Sequence, residues 1–273
     1  MSCVPPLSDV LIGYLVAEFA DANAIGMLLA GSYARGDATP YSDIDLIRFV
    51  PVLPEVDADR YTLAYRAGHL VSLSTTTIDA KRAELSRPET AIWTVPGLRQ
   101  ARLLRDRGGA LAALLQEAQA FRWEPLQPEA DAYAGYNVMG LVEEVHKVLG
   151  ALEHADESAA LNATWGLVAG LARAVIVQRG VLIRTENAYF QQAREAAGPA
   201  SAWSLAFRVA AGYEATPTGV SSVLARASAA LRLYHETATL LSSVLQPQRL
   251  PVIQGALARI RASGLIREGD WGI

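Results

Sequence analysis

The chain of 273 residues contains one cysteine, Cys3. That excludes a disulfide framework and any multi-cysteine zinc site, and it predicts a reducing, cytoplasmic setting. Lysine is nearly absent: of the 24 basic residues, only Lys81 and Lys147 are lysines. The net charge is −4, so there is no overall basic field to hold a nucleic-acid polymer. Internal repeats and low-complexity tracts are missing, and so are long unbroken apolar runs. The most apolar stretch, 165–183, is interrupted by Arg173, Gln178 and Arg179. It predicts a buried helix and no membrane span. The opening MSCVPPLSDV lacks a basic region followed by an apolar one, which predicts no signal peptide. What the chain does have is apolar substance, 51% hydrophobic against 19% charged. That is enough for a core in one large domain or two modest ones.

Residues 8–22 place Val10, Leu11, Tyr14, Leu15 and Phe19 at helical spacing behind Ser8, a fitting N-cap. The run 24–30 reads as a buried strand feeding a tight turn at Gly31. Further strands are expected at 42–50, 61–66 and 69–76, the last two meeting at Ala67-Gly68. Helical patterns follow at 79–86 and 108–122. Pro125 and Pro128 mark a boundary. Beyond it only helices are expected: 129–154, 157–180, 186–197, 200–212, 218–244 and 250–263, with Gly180, Gly198-Pro199, Pro217 and Pro247 as breakers and a tail from 268. The expected class is α+β: a domain over 1–125 with a small mixed sheet flanked by helices, then an all-α bundle over 126–273.

The segment 28–49, LLAGSYARGDATPYSDIDLIRF, carries the chemistry. Gly31-Ser32 follows a buried strand; a glycine there lets backbone amides approach a phosphate, and Ser32 adds a hydroxyl. Residues after it can start a helix whose N-terminus favours an anion. Arg35 and Gly36 extend the same loop. Strand alternation then places Asp43 and Asp45 on one face, with Ile44 and Leu46 toward the core. Paired carboxylates repel, and a divalent cation bridging to triphosphate oxygens relieves that cost.

Together, Gly31-Ser32, Arg35-Gly36 and Ser42-Asp43-Ile44-Asp45-Leu46 resemble the signature of the polymerase-β-type nucleotidyltransferase superfamily. The layout, an N-terminal transferase domain and a helical C-terminal domain, is similar to the kanamycin-type aminoglycoside nucleotidyltransferases. The resemblance implies transfer of a nucleoside monophosphate from Mg²⁺·NTP to a hydroxyl of a small-molecule acceptor, with release of pyrophosphate. It implies that Gly31, Ser32, Arg35 and Ser42 bind nucleotide, and that Asp43 and Asp45 hold Mg²⁺, one ion or two. Looser echoes extend further. Asp106-Arg107-Gly108-Gly109 matches an Asp-x-Gly-Gly of that family. The segment 141–147, LVEEVHK, resembles the helix bearing its general base and phosphate-contacting lysine, which assigns those roles to Glu143 and Lys147, with Glu144 as fallback. An ordinary i,i+4 ion pair is the competing reading of Glu143 and Lys147. The family also implies a homodimer; a cleft between the two domains is expected because ligand pockets usually lie there.

One departure stands out. The family takes a third acidic residue from a later strand, but 69–74 reads HLVSLS, with Ser72 and Ser74 where the carboxylate is expected. Another acid, such as Asp57 or Asp59, is a further candidate. Three outcomes are open: a one-metal enzyme using Glu143, a carboxylate recruited from elsewhere, or a degenerate nucleotide-binding regulator. A transferase acting on protein or tRNA is a further alternative. Arg99, Arg102, Arg105 and Arg107 read as a solvated basic face, with contact to the triphosphate as the alternative.

Overall fold

A computed structural model describes residues 5–215 and 221–265. Cys3, Pro217, Trp271 and the tail from 268 lie outside the described residues, as does the side chain of Asp57. The chain divides into two compact units, Met1–Trp123 and Glu124–Ile273.

The first unit runs α1 (Asp9–Phe19), β1 (Gly26–Ala30), α2 (Gly31–Arg35), β2 (Ile44–Phe49), β3 (Tyr61–Arg66), β4 (His69–Thr76), α3 (Ile78–Leu85), α4 (Pro88–Gln100), β5 (Arg102–Asp106) and α5 (Ala110–Ala120). The strands form one mixed sheet in the order β3-β4-β2-β1-β5, in which only β2 and β4 are parallel. Ser8 caps α1 as expected, its hydroxyl accepting the Leu11 N–H at 3.2 Å. The β3–β4 hairpin turns at Ala67 (φ 49°) and Gly68 (φ 81°). Two left-handed residues give such a loop the twist of its flanking strands.

Period-two alternation divides the sheet's faces. Met27, Leu29, Ile44, Leu46, Val71 and Leu73 pack with Leu15 of α1 into one core. On the other face Asp45 of β2 lies opposite Ser72 of β4, which lies opposite Leu63 of β3. The polar side chains therefore sit on a sheet whose reverse is sealed by aliphatic packing.

Helix α4 and strand β5 lie where no element was expected. The arginines of this region correct the basic-face reading. Arg99 donates to the carbonyls of Ala118 (2.8 Å) and Phe121 (3.0 Å) at the end of α5. Arg105 and Arg107 donate to Ala20 (3.0 Å) and Ala22 (2.9 Å), just past α1. Helix C-termini leave carbonyls without intrahelical donors, and cations there also meet the negative end of the helix dipole. All three side chains hold backbone; Arg99 and Arg105 are half-buried and so leave the expected solvated face, whereas Arg107, like Arg102, stays exposed. Only Arg102 pairs outward, with Asp9 at 3.6 Å.

The second unit consists of α6 (Gln127–Gly140), α7 (Val142–His154), α8 (Glu157–Gln178), α9 (Tyr189–Ala197), α10 (Ala202–Ala210), α11 (Ser222–Leu240) and α12 (Leu250–Ala262). The helix expected over 129–154 is two, broken at Leu141. α8 is long and apolar enough to cross a membrane by length and composition, yet 61% of its most apolar window is buried within the fold. It packs on α6, α7, α9 and α11. Two large polar aromatic side chains in this interior are paired. The Trp203 Nε1–H donates to Thr237 Oγ1 at 2.8 Å, and the Tyr234 hydroxyl donates to the Val138 carbonyl at 3.1 Å.

Candidate nucleotide and metal site

The loop after β1 is built around Gly31, the first residue of the short helix α2, at φ +65°. A Cβ at this position would lie 1.8 Å from Asp45 Oδ2 and 2.8 Å from its Cγ. Two requirements therefore converge on glycine: a left-handed backbone and the volume occupied by a carboxylate. The sequence reading gave Gly31 a role toward phosphate. Its packing against Asp45 is additional, and it joins the two halves of the motif. Gly36, at φ +82°, ends α2, with its N–H on the Ser32 carbonyl at 2.9 Å.

Asp45 is half-buried on β2, and Asp43 is half-buried immediately before the strand. Ile44 and Leu46 are buried, as alternation requires. Ser72, buried on β4, donates its hydroxyl to Asp45 Oδ1 at 2.8 Å. The register Asp45↔Ser72 places this serine beside the carboxylate, at the position where the family resemblance leads one to expect a third acid. Ser74 turns instead to the Leu46 carbonyl, at 3.5 Å. Asp59 is exposed in the 3₁₀ turn Asp57–Arg60. Among the described residues, no group of three or more His, Cys, Asp or Glu side chains is arranged to hold a metal. The carboxylates of Asp43 and Asp45 would offer hard oxygen donors. That suits Mg²⁺, which keeps several waters and takes its remaining ligands from phosphate.

The other nucleotide-binding candidates are held locally. Arg35 forms an ion pair with Asp37 at 3.1 Å, through both Nε and Nη2. The Ser42 hydroxyl accepts the Thr39 N–H at 2.9 Å and lies 3.3 Å from its hydroxyl, closing the turn that leads into β2. Ser32 is half-buried, and its hydroxyl takes no part in the hydrogen bonds that shape this loop among the described residues. Tyr33 reaches across to His69 Nδ1 at 3.4 Å, bracing α2 against β4. On the same sheet face, the edge strand exposes Tyr61, Leu63 and Tyr65, an apolar stripe that the sequence reading did not single out.

Asp106 and its glycines have a structural job. The Asp106 carboxylate accepts the N–H groups of Leu111 (3.3 Å) and Ala112 (2.9 Å), while Gly108 and Gly109 turn the chain at φ 90° and 81°. The Asp-x-Gly-Gly stretch is a cap that starts α5.

In the helical unit, Glu143 and Lys147 do not pair. Lys147 Nζ contacts Glu144 Oε1 at 2.6 Å, and this contact raises the lysine's pKa. Glu144 is half-buried, because its carboxylate lies over Gly166 of α8, where a Cβ would come within 3.3 Å. Glu143 is exposed. The i,i+4 ion pair is therefore replaced by an i,i+3 pair one residue along, and Glu143 is left with an uncommitted exposed position on the helix.

Residues 15–90 match the family model of the nucleotidyltransferase domain, a span from α1 through β1, α2, β2, β3, β4 and α3 to the start of α4. The N-terminal fold is that of a nucleotidyltransferase domain, followed by a mostly helical C-terminal region. A crystal structure of a nucleotidyltransferase-like protein from Exiguobacterium sibiricum 255-15 is similar at 14% identity and a TM-score of 0.49, covering 93% of this chain and 89% of that one. No curated protein matches the chain.

Proposed function

We propose that this protein transfers a nucleoside monophosphate from Mg²⁺·NTP to a hydroxyl group of a small molecule. The observation that carries the reading is the Gly31–Asp45–Ser72 arrangement within the matched domain: a glycine loop after one strand, closed against a carboxylate on the next. Asp43 and Asp45 would hold the divalent ion. When bound, that ion supplies charge neutralisation on the triphosphate. Gly31 and Ser32 would position the β- and γ-phosphates, with Arg35 and Ser42 shaping the loop. The acceptor oxygen attacks the α-phosphorus, the bond to the β-phosphate oxygen breaks, and pyrophosphate leaves. The chain contributes mainly positioning and preorganised charge.

On the family resemblance, Glu143 takes the acceptor's proton and Lys147 stabilises charge at the α-phosphate. The exposed Tyr61, Leu63 and Tyr65 offer apolar surface to an acceptor with a ring face. An aminoglycoside-like acceptor and a homodimer belong to this proposal on the same resemblance, and a cytoplasmic location on the single cysteine. The degenerate-regulator reading is favoured by one observation, the serine in place of the third acid. Incubation with α-labelled NTPs, Mg²⁺ and a panel of polyhydroxylated acceptors separates the two. Labelled acceptor with stoichiometric pyrophosphate supports the transferase; tight nucleotide binding without pyrophosphate for any acceptor supports the regulator.

A further inference from the structure

We propose that Ser72 is a positioning residue that fixes Asp45 as a ligand and limits the site to a single divalent ion. The inference rests on the transferase reading and goes beyond it by specifying how the site is loaded.

Asp45 is constrained on both oxygens. Oδ1 accepts the Ser72 hydroxyl at 2.8 Å, and Oδ2 fills the volume left by the absent Gly31 side chain, 1.8 Å from where a Cβ would stand. A carboxylate free to rotate loses orientational freedom when it binds a metal. This one is already oriented, by a bond that spans two strands in fixed parallel register. The same serine has a consequence for charge. A two-metal site holds its ions about 3.5–4 Å apart, and that needs bridging negative charge. Ser72 is neutral, and its hydroxyl donates toward Asp45, so it adds no charge and occupies part of the carboxylate's acceptor capacity. Among the described residues no third acid joins the pair. The position suited to a third carboxylate is thus filled by a group that holds the second one still.

The test is Mn²⁺ binding, followed by electron paramagnetic resonance and calorimetry in the presence of a non-hydrolysable NTP analogue. Wild type is expected to take one Mn²⁺ per bound nucleotide. Ser72→Ala should weaken Mn²⁺-dependent binding about tenfold, because a hydrogen bond to a charged group is removed. Ser72→Thr, which keeps the hydroxyl on a β-branched frame suited to a strand, should restore it. Ser72→Asp should take two ions. Its melting temperature should also rise with Mn²⁺ well beyond the wild-type response, because a carboxylate at position 72, opposite Asp45, repels it until a cation is present. Two ions in wild type, Ser72→Ala binding as tightly as wild type, or a single ion in Ser72→Asp would overturn the proposal while leaving the transferase reading standing. Wild type without any Mn²⁺-dependent nucleotide binding would overturn both. If Ser72→Ala does not fold, the Ser72→Thr and Ser72→Asp results decide.

Discussion

Replacing Gly31 by alanine separates two costs that the structure places at one residue. The first is conformational: a side chain at φ +65° costs about 1–2 kcal/mol. The second is steric. A Cβ contact shorter than 3.0 Å is not sustained, so Asp45 Oδ2 must retreat by about 1.2 Å from its 1.8 Å position. That movement pulls Oδ1 from the Ser72 hydroxyl, a hydrogen bond to a charged group worth about 1.5–3 kcal/mol. Gly36→Ala is the control. Its φ is +82°, and a Cβ there meets nothing within 4 Å, so it incurs the conformational cost alone. Both variants lose the same unfolded-state flexibility, which cancels in the comparison. Urea unfolding should therefore find Gly31→Ala less stable than Gly36→Ala by about 1.5–3 kcal/mol. Mg²⁺-dependent nucleotide binding should be lost in Gly31→Ala and kept in Gly36→Ala. Equal stabilities, with both variants binding Mg²⁺·nucleotide like wild type, would refute the contact between loop and carboxylate.

The remaining predictions concern the helical unit and the surface ion pairs. Glu143→Gln should lower kcat by about 10²–10⁴ with nucleotide affinity unchanged, whereas Glu144→Gln should release Lys147 and leave kcat within a few-fold; the reverse pattern in steady-state kinetics would move the base to Glu144. Arg82 donates Nε and Nη2 to the two oxygens of Glu117, both at 2.8 Å, and holds that carboxyl below its ordinary value. The unfolded chain then binds the proton more readily than the folded one. The pair's stabilisation is present above the usual glutamate pKa of about 4.3 and is lost as pH falls through the lower folded value. Glu117→Gln should flatten the acid limb of melting temperature against pH, at a cost below about 1 kcal/mol near neutrality, since the pair is half-exposed and screened. An unchanged acid limb would show that the pair is broken in solution. Leu46→Ala, in the core behind the site, should cost about 2–5 kcal/mol by urea unfolding.

How far the sequence was legible follows from which forces act locally. The Ser8 cap, the Ala67-Gly68 hairpin and the alternation in IDLIRF and HLVSLS are short-range signals, and the elements formed where those signals lie. Period-two spacing put Ser72 and Ser74 on one face of β4, but that Ser72, and not Ser74, stands beside Asp45 needed the parallel register to become visible. α4 was missed because Pro88 and Pro96 read as breakers. Pro88 instead starts the helix, where its missing N–H costs nothing, and Pro96 is tolerated inside it in a buried setting. β5, RLLRD, has no alternation; its Arg105 is drawn by the Ala20 carbonyl and its Arg102 by Asp9, partners that only the tertiary fold supplies. The Glu143–Lys147 pairing failed for a related reason. Spacings of three and four both fit one helix face, and what selects Glu144 is Gly166 on another helix, which leaves room for its carboxylate.

The central claim is that Asp45, held by Gly31 and Ser72, makes this a metal-dependent nucleotide site. Calorimetric titration of the four NTPs, with and without Mg²⁺, into wild type and Asp45→Asn tests it most directly. The account predicts Mg²⁺-dependent binding in wild type that disappears in the variant while its fold persists. Binding that is indifferent to both Mg²⁺ and the substitution would contradict it.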